Sequence, residues 1–269
     1  MSAVLKAIAA ALVLALSAGT ASAGSYSLVE WSDLKPEIFG DRALLSGEGH
    51  VTLEAPYRAT NDARVPVEIA ATAPGLSPIR KVTLVIDQNP MPVSAIFDLD
   101  QPRRSVRFGL DLRLNGPSMV RAVVETDDGQ LYMTANLVKT SGQGACAAPP
   151  MGDPEEAIAA IGQMQVTAAP AAEGRSAVRT ARLDMRHPQH TGMQMDQITL
   201  HYILARFVDT VDVWAGEEKL FTLTGSISLS EDPGFSFEIM DPEARSVRVR
   251  LTDTDGMVVE RELPLSPES

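Results

Sequence analysis

The sequence predicts an all-β protein: two immunoglobulin-like β-sandwich domains joined by a flexible linker that carries a short helix. Three observations lead there. Short β-rich runs alternate with turn residues through both halves of the chain, the pattern of sandwich strands. A hairpin motif occurs twice: Val120 to Gly129 reads "VRAVVETDDG" and Val247 to Gly256 reads "VRVRLTDTDG", an offset of 247 − 120 = 127 that aligns Asp128-Gly129 with Asp255-Gly256. A Gly-, Ala- and Pro-rich stretch of different character lies between the halves.

The elements follow in order. "MSAVLKAIAAALVLALSAGTASAG" places Lys6 ahead of an apolar run and ends in the small-residue pattern Ala21-Ser22-Ala23. This is the layout of a secretory signal peptide over residues 1–23, and it predicts a periplasmic protein. The run from Ala7 to Leu16 is too short to span a bilayer, and no later stretch is long enough, so no membrane span is expected. The first sandwich is assigned to residues 24–140. A short helix over Trp31–Phe39 should pack on it, and strands are expected at Val51–Glu54, Val65–Ala71, Val82–Asp87, Ser94–Asp98, Val106–Leu112, Val120–Glu125 and Leu131–Lys139. Turn signals such as Gln88-Asn89-Pro90 and Asn115-Gly116-Pro117 separate them.

Residues 141–173 read as the linker. Within it Asp153 can cap a helix, Pro154 suits the first helical position, and Glu155 and Glu156 favour the positive end of the dipole. Ile158, Ile161 and Met164 or Gln165 form its narrow apolar stripe. The second sandwich, residues 174–269, offers strands at Ala177–Met185, Ile198–Leu204, Val208–Trp214, Leu220–Leu223, Phe235–Ile239, Val247–Thr252 and Val258–Leu263. Alternation at Val247, Val249 and Leu251 implies one buried face. Trp31 and Trp214 read as packing residues.

The net charge is −12, or −13 without Lys6 of the leader. So acidic a chain repels phosphate backbones, and nucleic acid is excluded as a partner. Apolar residues make up 45% of the chain, enough for packed cores and too many for a disordered polymer.

Cys146 is the only cysteine, in the stretch "SGQGACAAPP". A single thiol in an exported chain suggests either a reactive group or an intermolecular bond; the plain alternative is a small buried hydrophobe. Gly142 and Gly144 loosen the backbone, while Ala145 and Ala147 remove bulk beside the sulfur. Fully extended, the residues after Lys139 could carry the thiol about 20–25 Å from the sandwich. An arm of this kind suits entry into another protein's active site. No Lys or Arg lies between Lys139 and Arg175, so local sequence gives the thiol no activation.

The order sandwich, "GGC"-like arm, sandwich resembles the sulfur-oxidation carrier proteins SoxY and SoxZ fused in one chain. In particular it resembles the quinoprotein dehydrogenase-associated SoxYZ-like carrier family. "NPMPVSAIFDLD" and "VRAVVETDDGQLYMTANLVKTSGQGACAAP" resemble the Y half. "RHPQHTGMQMDQ", "VDVWAGEEKLFTLTGSISLSEDPGFSFEI" and "VRVRLTDTDG" resemble the Z half. The resemblance implies that Cys146 is the carrier cysteine, that no cofactor is held, and that the protein is not an enzyme. It implies partners among periplasmic redox or sulfur-transfer enzymes, such as a PQQ-dependent dehydrogenase or a c-type cytochrome. The family's Y arm ends free, whereas this one continues into a second sandwich.

Three other readings stand beside the carrier. The protein could be an assembly module for a PQQ-dependent dehydrogenase. His187, His190, Met193 and Met195 could bind copper, with Cys146 completing the site; the plain alternative is a surface loop with methionines as packing. Cys146 with His187 or His190 could form a nucleophile–base pair.

Overall fold

The computed structural model describes residues 29–142, 144–150, 153–169, 178–241 and 243–267, and the predicted signal peptide lies outside them. The first half forms α1 (Trp31–Phe39), β1 (Leu44–Ser46), β2 (Val51–Glu54), β3 (Val65–Thr72), β4 (Ile79–Ile86), β5 (Val93–Arg103), β6 (Ser105–Leu112), β7 (Ser118–Thr126) and β8 (Leu131–Val138). The second forms α2 (Pro154–Ala159), β9 (Met164–Ala168), β10 (Arg179–Met185), β11 (Val208–Ala215), β12 (Glu218–Thr224), β13 (Gly234–Ile239), β14 (Ser246–Asp253), β15 (Val258–Pro264) and β16 (Ser266–Pro267). The protein is all-β, as expected, with β-sandwich layers in each half.

The two halves are joined by more than the linker. One sheet has the order β1-β8-β7-β4-β5-β12-β11-β14-β15, and the other β16-β9-β10-β13-β6-β3-β2. β5 pairs antiparallel with β12, opposing Phe97 to Leu223 and Leu99 to Phe221, and β6 pairs antiparallel with β13, opposing Phe108 to Phe237. Both layers therefore continue unbroken from one half into the other. Without β1 and β16, each order reads as a palindrome about its central pair, so a pseudo-twofold axis runs between β5/β12 and β6/β13. The repeated hairpins are equivalent under it. Thr126 N–H donates to the Gln130 carbonyl at 3.0 Å and Asp253 N–H to the Met257 carbonyl at 3.1 Å. Gly129 and Gly256 both sit at φ 82°, where a side chain would be strained.

Alternating residues fill the space between the layers. On β3, Val65, Val67, Ile69 and Ala71 point inward and their neighbours outward. One continuous apolar cluster takes in residues of both halves. At the pseudo-axis Phe97 stacks on Phe108 at 4.0 Å, and Phe221 meets Phe97, Phe108 and Phe237 edge-on at 5.6, 5.3 and 5.3 Å. α1 covers the outer face of the larger sheet, where Phe39 packs with Val85, Val123 and Leu131 and partly buried Trp31 joins them. The Arg121 guanidinium lies 4.0 Å from the Trp31 ring centroid and grips buried Asp87 at 2.7 Å. Both tryptophans pack: Trp214 lies beneath Arg248 at 4.2 Å.

Two sequence expectations are corrected. The helical stripe expected through Met164 ends at Ala159, and Met164–Ala168 is strand β9, paired with β10. Gly162 enforces the stop at φ 81°, pressed so close to Val259 that a Cβ would lie 2.7 Å from its Cγ2. Ile198–Leu204, whose alternation reads as a strand, is an irregular hairpin tip with Ile198 and Leu204 in solvent. It lies in the connection between β10 and β11, residues 186–207. The equivalent connection between β3 and β4, residues 73–78, is much shorter. This long connection breaks the pseudo-symmetry.

Candidate functional site

Cys146 lies in a cradle built from both halves. The turn after β4 supplies buried Asn89, whose Nδ2 donates to the Arg113 carbonyl at 2.7 Å and to Ser228 Oγ at 2.9 Å. Asn89 Oδ1 accepts from Asn115 N–H at 2.8 Å. Asn115, just beyond β6, holds the cysteine segment at two points. Its carbonyl accepts from Gly144 N–H at 2.7 Å, and its Oδ1 from Cys146 N–H at 3.2 Å. From the other half, Thr191 Oγ1 donates to the Cys146 carbonyl at 2.6 Å and Gln194 Nε2 to the Ala148 carbonyl at 3.1 Å. Gly144 at φ 99° lets the chain turn, with Ala147 N–H donating back to the Gly144 carbonyl at 2.8 Å.

The segment is therefore seated against the protein rather than extended, and Cys146 is 0% exposed. Its backbone donors and acceptors need partners once water is excluded, and Asn115, Thr191 and Gln194 provide them. Ala145 and Ala147 present no side chain long enough to hold the turn away.

Burial pushes the thiol up to about 11, and the nearby Arg113 guanidinium offsets this only in part. The same burial lowers Arg113. Its Nη1 donates to the carbonyls of Gln189 and Ile227 at 3.2 and 3.3 Å, while its buried Nε has no partner among the described residues. At neutral pH the seated thiol is protonated and a poor nucleophile. A raised pKa means that ionisation opposes seating. Seating is at full strength below the free value of 9.0 and weakens as pH rises toward 11. Alkylation by iodoacetamide at neutral pH should be about a hundredfold slower in the folded chain than in the denatured one. Thr191→Val, which removes one hydrogen bond to the segment, should raise the folded-state rate by roughly two- to tenfold. Equal rates in folded and denatured chains would contradict the burial.

A cavity of about 320 Å³ opens beside the segment, lined by Asn61, Arg64, Arg113, Ala145, Gln194 and Glu231 among others. Arg64, paired with Asp111 at 3.1 Å, and Arg113 line it together with Glu231.

The histidines lie beneath the cradle. His187 is buried, and desolvation lowers it to about 4, although Asp253 opposes the shift. Its Nδ1 accepts from Gln189 N–H at 3.1 Å and its Nε2 faces Asp253 Oδ2 at 3.5 Å. Nδ1 is thus engaged by Gln189, and the buried Nε2 makes no hydrogen bond among the described residues, so neither ring nitrogen of His187 is bonded to the thiol. His190 is also lowered by burial and by Arg113 and Arg206. Among the described residues no three His, Cys, Asp or Glu side chains are grouped closely enough to hold a metal. Met193 and Met195 are partly buried in the hairpin 190–206.

Sequence reading located the thiol and the glycines but missed Asn89, Arg113, Asn115, Thr191 and Gln194. Asn89 and Asn115 stood in segments read only as turns. Thr191 and Gln194 carried no signal, because their role depends on a contact across some 45 residues of chain.

Residues 35–146 match the family described as "Sulfur oxidation protein SoxY", and residues 166–264 that described as "Sulphur oxidation protein SoxZ". The first match ends on Cys146 itself. No curated protein sequence matches the chain. Among solved structures, the sulfur carrier protein SoxY from Chlorobium limicola f thiosulfatophilum is 26% identical over 40% of this chain and 88% of its own, with a TM-score of 0.34. A superoxide reductase (neelaredoxin) from Ignicoccus hospitalis is 17% identical over 34% and 80%, with a TM-score of 0.28.

Proposed function

The chain belongs to the SoxY and SoxZ families of sulfur-oxidation proteins, with both halves in one polypeptide, and we propose that it carries sulfur covalently on Cys146 between periplasmic enzymes. The observation that supports this most is the placement of the only thiol. It closes the SoxY match, lies in a turn of Gly and Ala, and is held across the junction by Thr191 and Gln194 of the SoxZ half. A seated thiol near pKa 11 is chemically quiet, which suits a group meant to react only in a partner's active site. In this reading the segment leaves its cradle as a swinging arm, with Gly142 and Gly144 as its joints and Ala145 and Ala147 as its slender tip.

Loading joins the Cys146 sulfur to a second sulfur. When a thiol and a sulfur anion form an S–S bond, one proton and two electrons are released. The loading enzyme must therefore pass two electrons to an acceptor, and a c-type cytochrome or a PQQ-dependent dehydrogenase belongs to the right class. The export-type leader supports a periplasmic setting. Intact-mass spectrometry of protein taken from cells oxidising sulfur compounds, with peptide mapping, tests the reading. A sulfur adduct on Cys146 that thiol reductant removes is expected. An unmodified Cys146 under every growth condition would overturn it.

A further inference from the structure

The connection between β10 and β11 has a form that the carrier reading leaves unexplained. It rises as a hairpin pinned by backbone bonds: His190 and Arg206 exchange N–H and carbonyl at 2.8 and 3.0 Å, Ile203 N–H donates to the Gln194 carbonyl at 2.8 Å, and Asp196 N–H to the His201 carbonyl at 2.9 Å. Its tip is hydrogen-bonded within itself. Asp196 Oδ1 accepts from the N–H groups of Ile198 and Thr199 at 3.0 and 2.6 Å and from Thr199 Oγ1 at 2.9 Å, and the Asp196 carbonyl accepts from Leu200 N–H at 2.9 Å. Leu200 is held at φ 58°, a conformation that costs an L-residue about 1–2 kcal/mol.

This hydrogen-bonded tip displays apolar side chains to solvent. Ile198 is 92% exposed, Leu200 67%, Tyr202 68% and Leu204 86%. Single exposed apolar residues need no explanation, but four within seven positions on a strained, pre-ordered tip mark an interaction surface. The base of the same hairpin holds the cysteine segment through Thr191 and Gln194.

Resting on the carrier reading above, we propose that the tip at Ile198, Leu200, Tyr202 and Leu204 is the docking surface for the enzyme that acts on Cys146. Its occupant is a second protein with an apolar depression set in a basic surround. The hydrogen-bonded base points to which protein this is: whatever grips the tip pulls on two of the bonds that hold the cysteine segment, those from Thr191 and Gln194. Overall charge favours a basic surround, because a chain of net charge −12 repels a second copy of itself and attracts a basic surface. The hairpin belongs to the connection that one half has and the other lacks, so the surface occurs once per molecule, on the side of its single thiol.

A photo-crosslinking amino acid at Leu204 and a thiol-tethered crosslinker at Cys146 test this in the cells that make the protein, with captured partners identified by mass. The same basic protein is expected from both positions. Ile198→Asp with Leu204→Asp should cut capture at Cys146, and unloading of its adduct, about tenfold, with the thermal midpoint unchanged because both residues lie in solvent. Three results overturn the proposal: capture of a second copy at Leu204, capture of different proteins at the two positions, or undiminished unloading in the double variant. If wild-type Cys146 bears no adduct, the carrier reading falls and this proposal falls with it. If it is loaded and the double variant unloads normally, only the docking surface is lost.

Discussion

Cys146→Ala is expected to abolish sulfur carriage completely while leaving the fold intact. The hydrogen bonds that seat this residue use its main chain: Cys146 N–H donates to Asn115 Oδ1, and its carbonyl accepts from Thr191 Oγ1. Alanine keeps both. Only the sulfur is lost, from a site with 0% exposure, and a small buried truncation of this kind costs about 1 kcal/mol. In a chain of this size that lowers the melting temperature by roughly 2–4 °C. The variant should therefore purify normally, show no adduct by intact mass, and fail to support growth on reduced sulfur compounds. Growth at the wild-type rate would remove Cys146 from the function altogether.

The second large effect concerns the junction of the halves. Phe221→Ala is expected to destabilise the protein by about 3–5 kcal/mol, or roughly 10 °C in melting temperature. Phe221 is 2% exposed and, among the described residues, is the only ring in contact with Phe97, Phe108 and Phe237 together. Its removal opens a cavity on the pseudo-twofold axis and takes away three edge-on ring contacts, each worth about 0.5–1.5 kcal/mol beyond area burial. Scanning calorimetry should show one cooperative transition in the wild type and a lower one in the variant. Two separate transitions in the wild type would mean that the halves melt independently despite their shared sheets.

The sequence made some of these features plain and concealed others, for physical reasons. The Asp128-Gly129 and Asp255-Gly256 turns were legible because local geometry alone demands glycine at φ 82°. Their common offset, with the strands on either side, was enough to expose the repeat. The thiol was legible because it is the only one. Its burial was not, since that depends on Asn115, Thr191 and Gln194, which meet it from far along the chain. Ile198–Leu204 misled because alternation marks two-faced segments without saying whether the apolar face meets a core or a partner. β9 was hidden by its place in an Ala-rich stretch: Met164–Ala168 becomes a strand only because β10 offers it an edge.

The antiparallel pairings of β5 with β12 and β6 with β13 have a consequence for life at low abundance. Two separate proteins joined by those strands would form a heterodimer, and dilution would pull it apart by mass action. Here one backbone connects the partners, so the encounter is intramolecular and its extent does not depend on concentration. A few copies in a large compartment remain as fully assembled as many. One thiol is always matched to one cradle, whatever the level of expression.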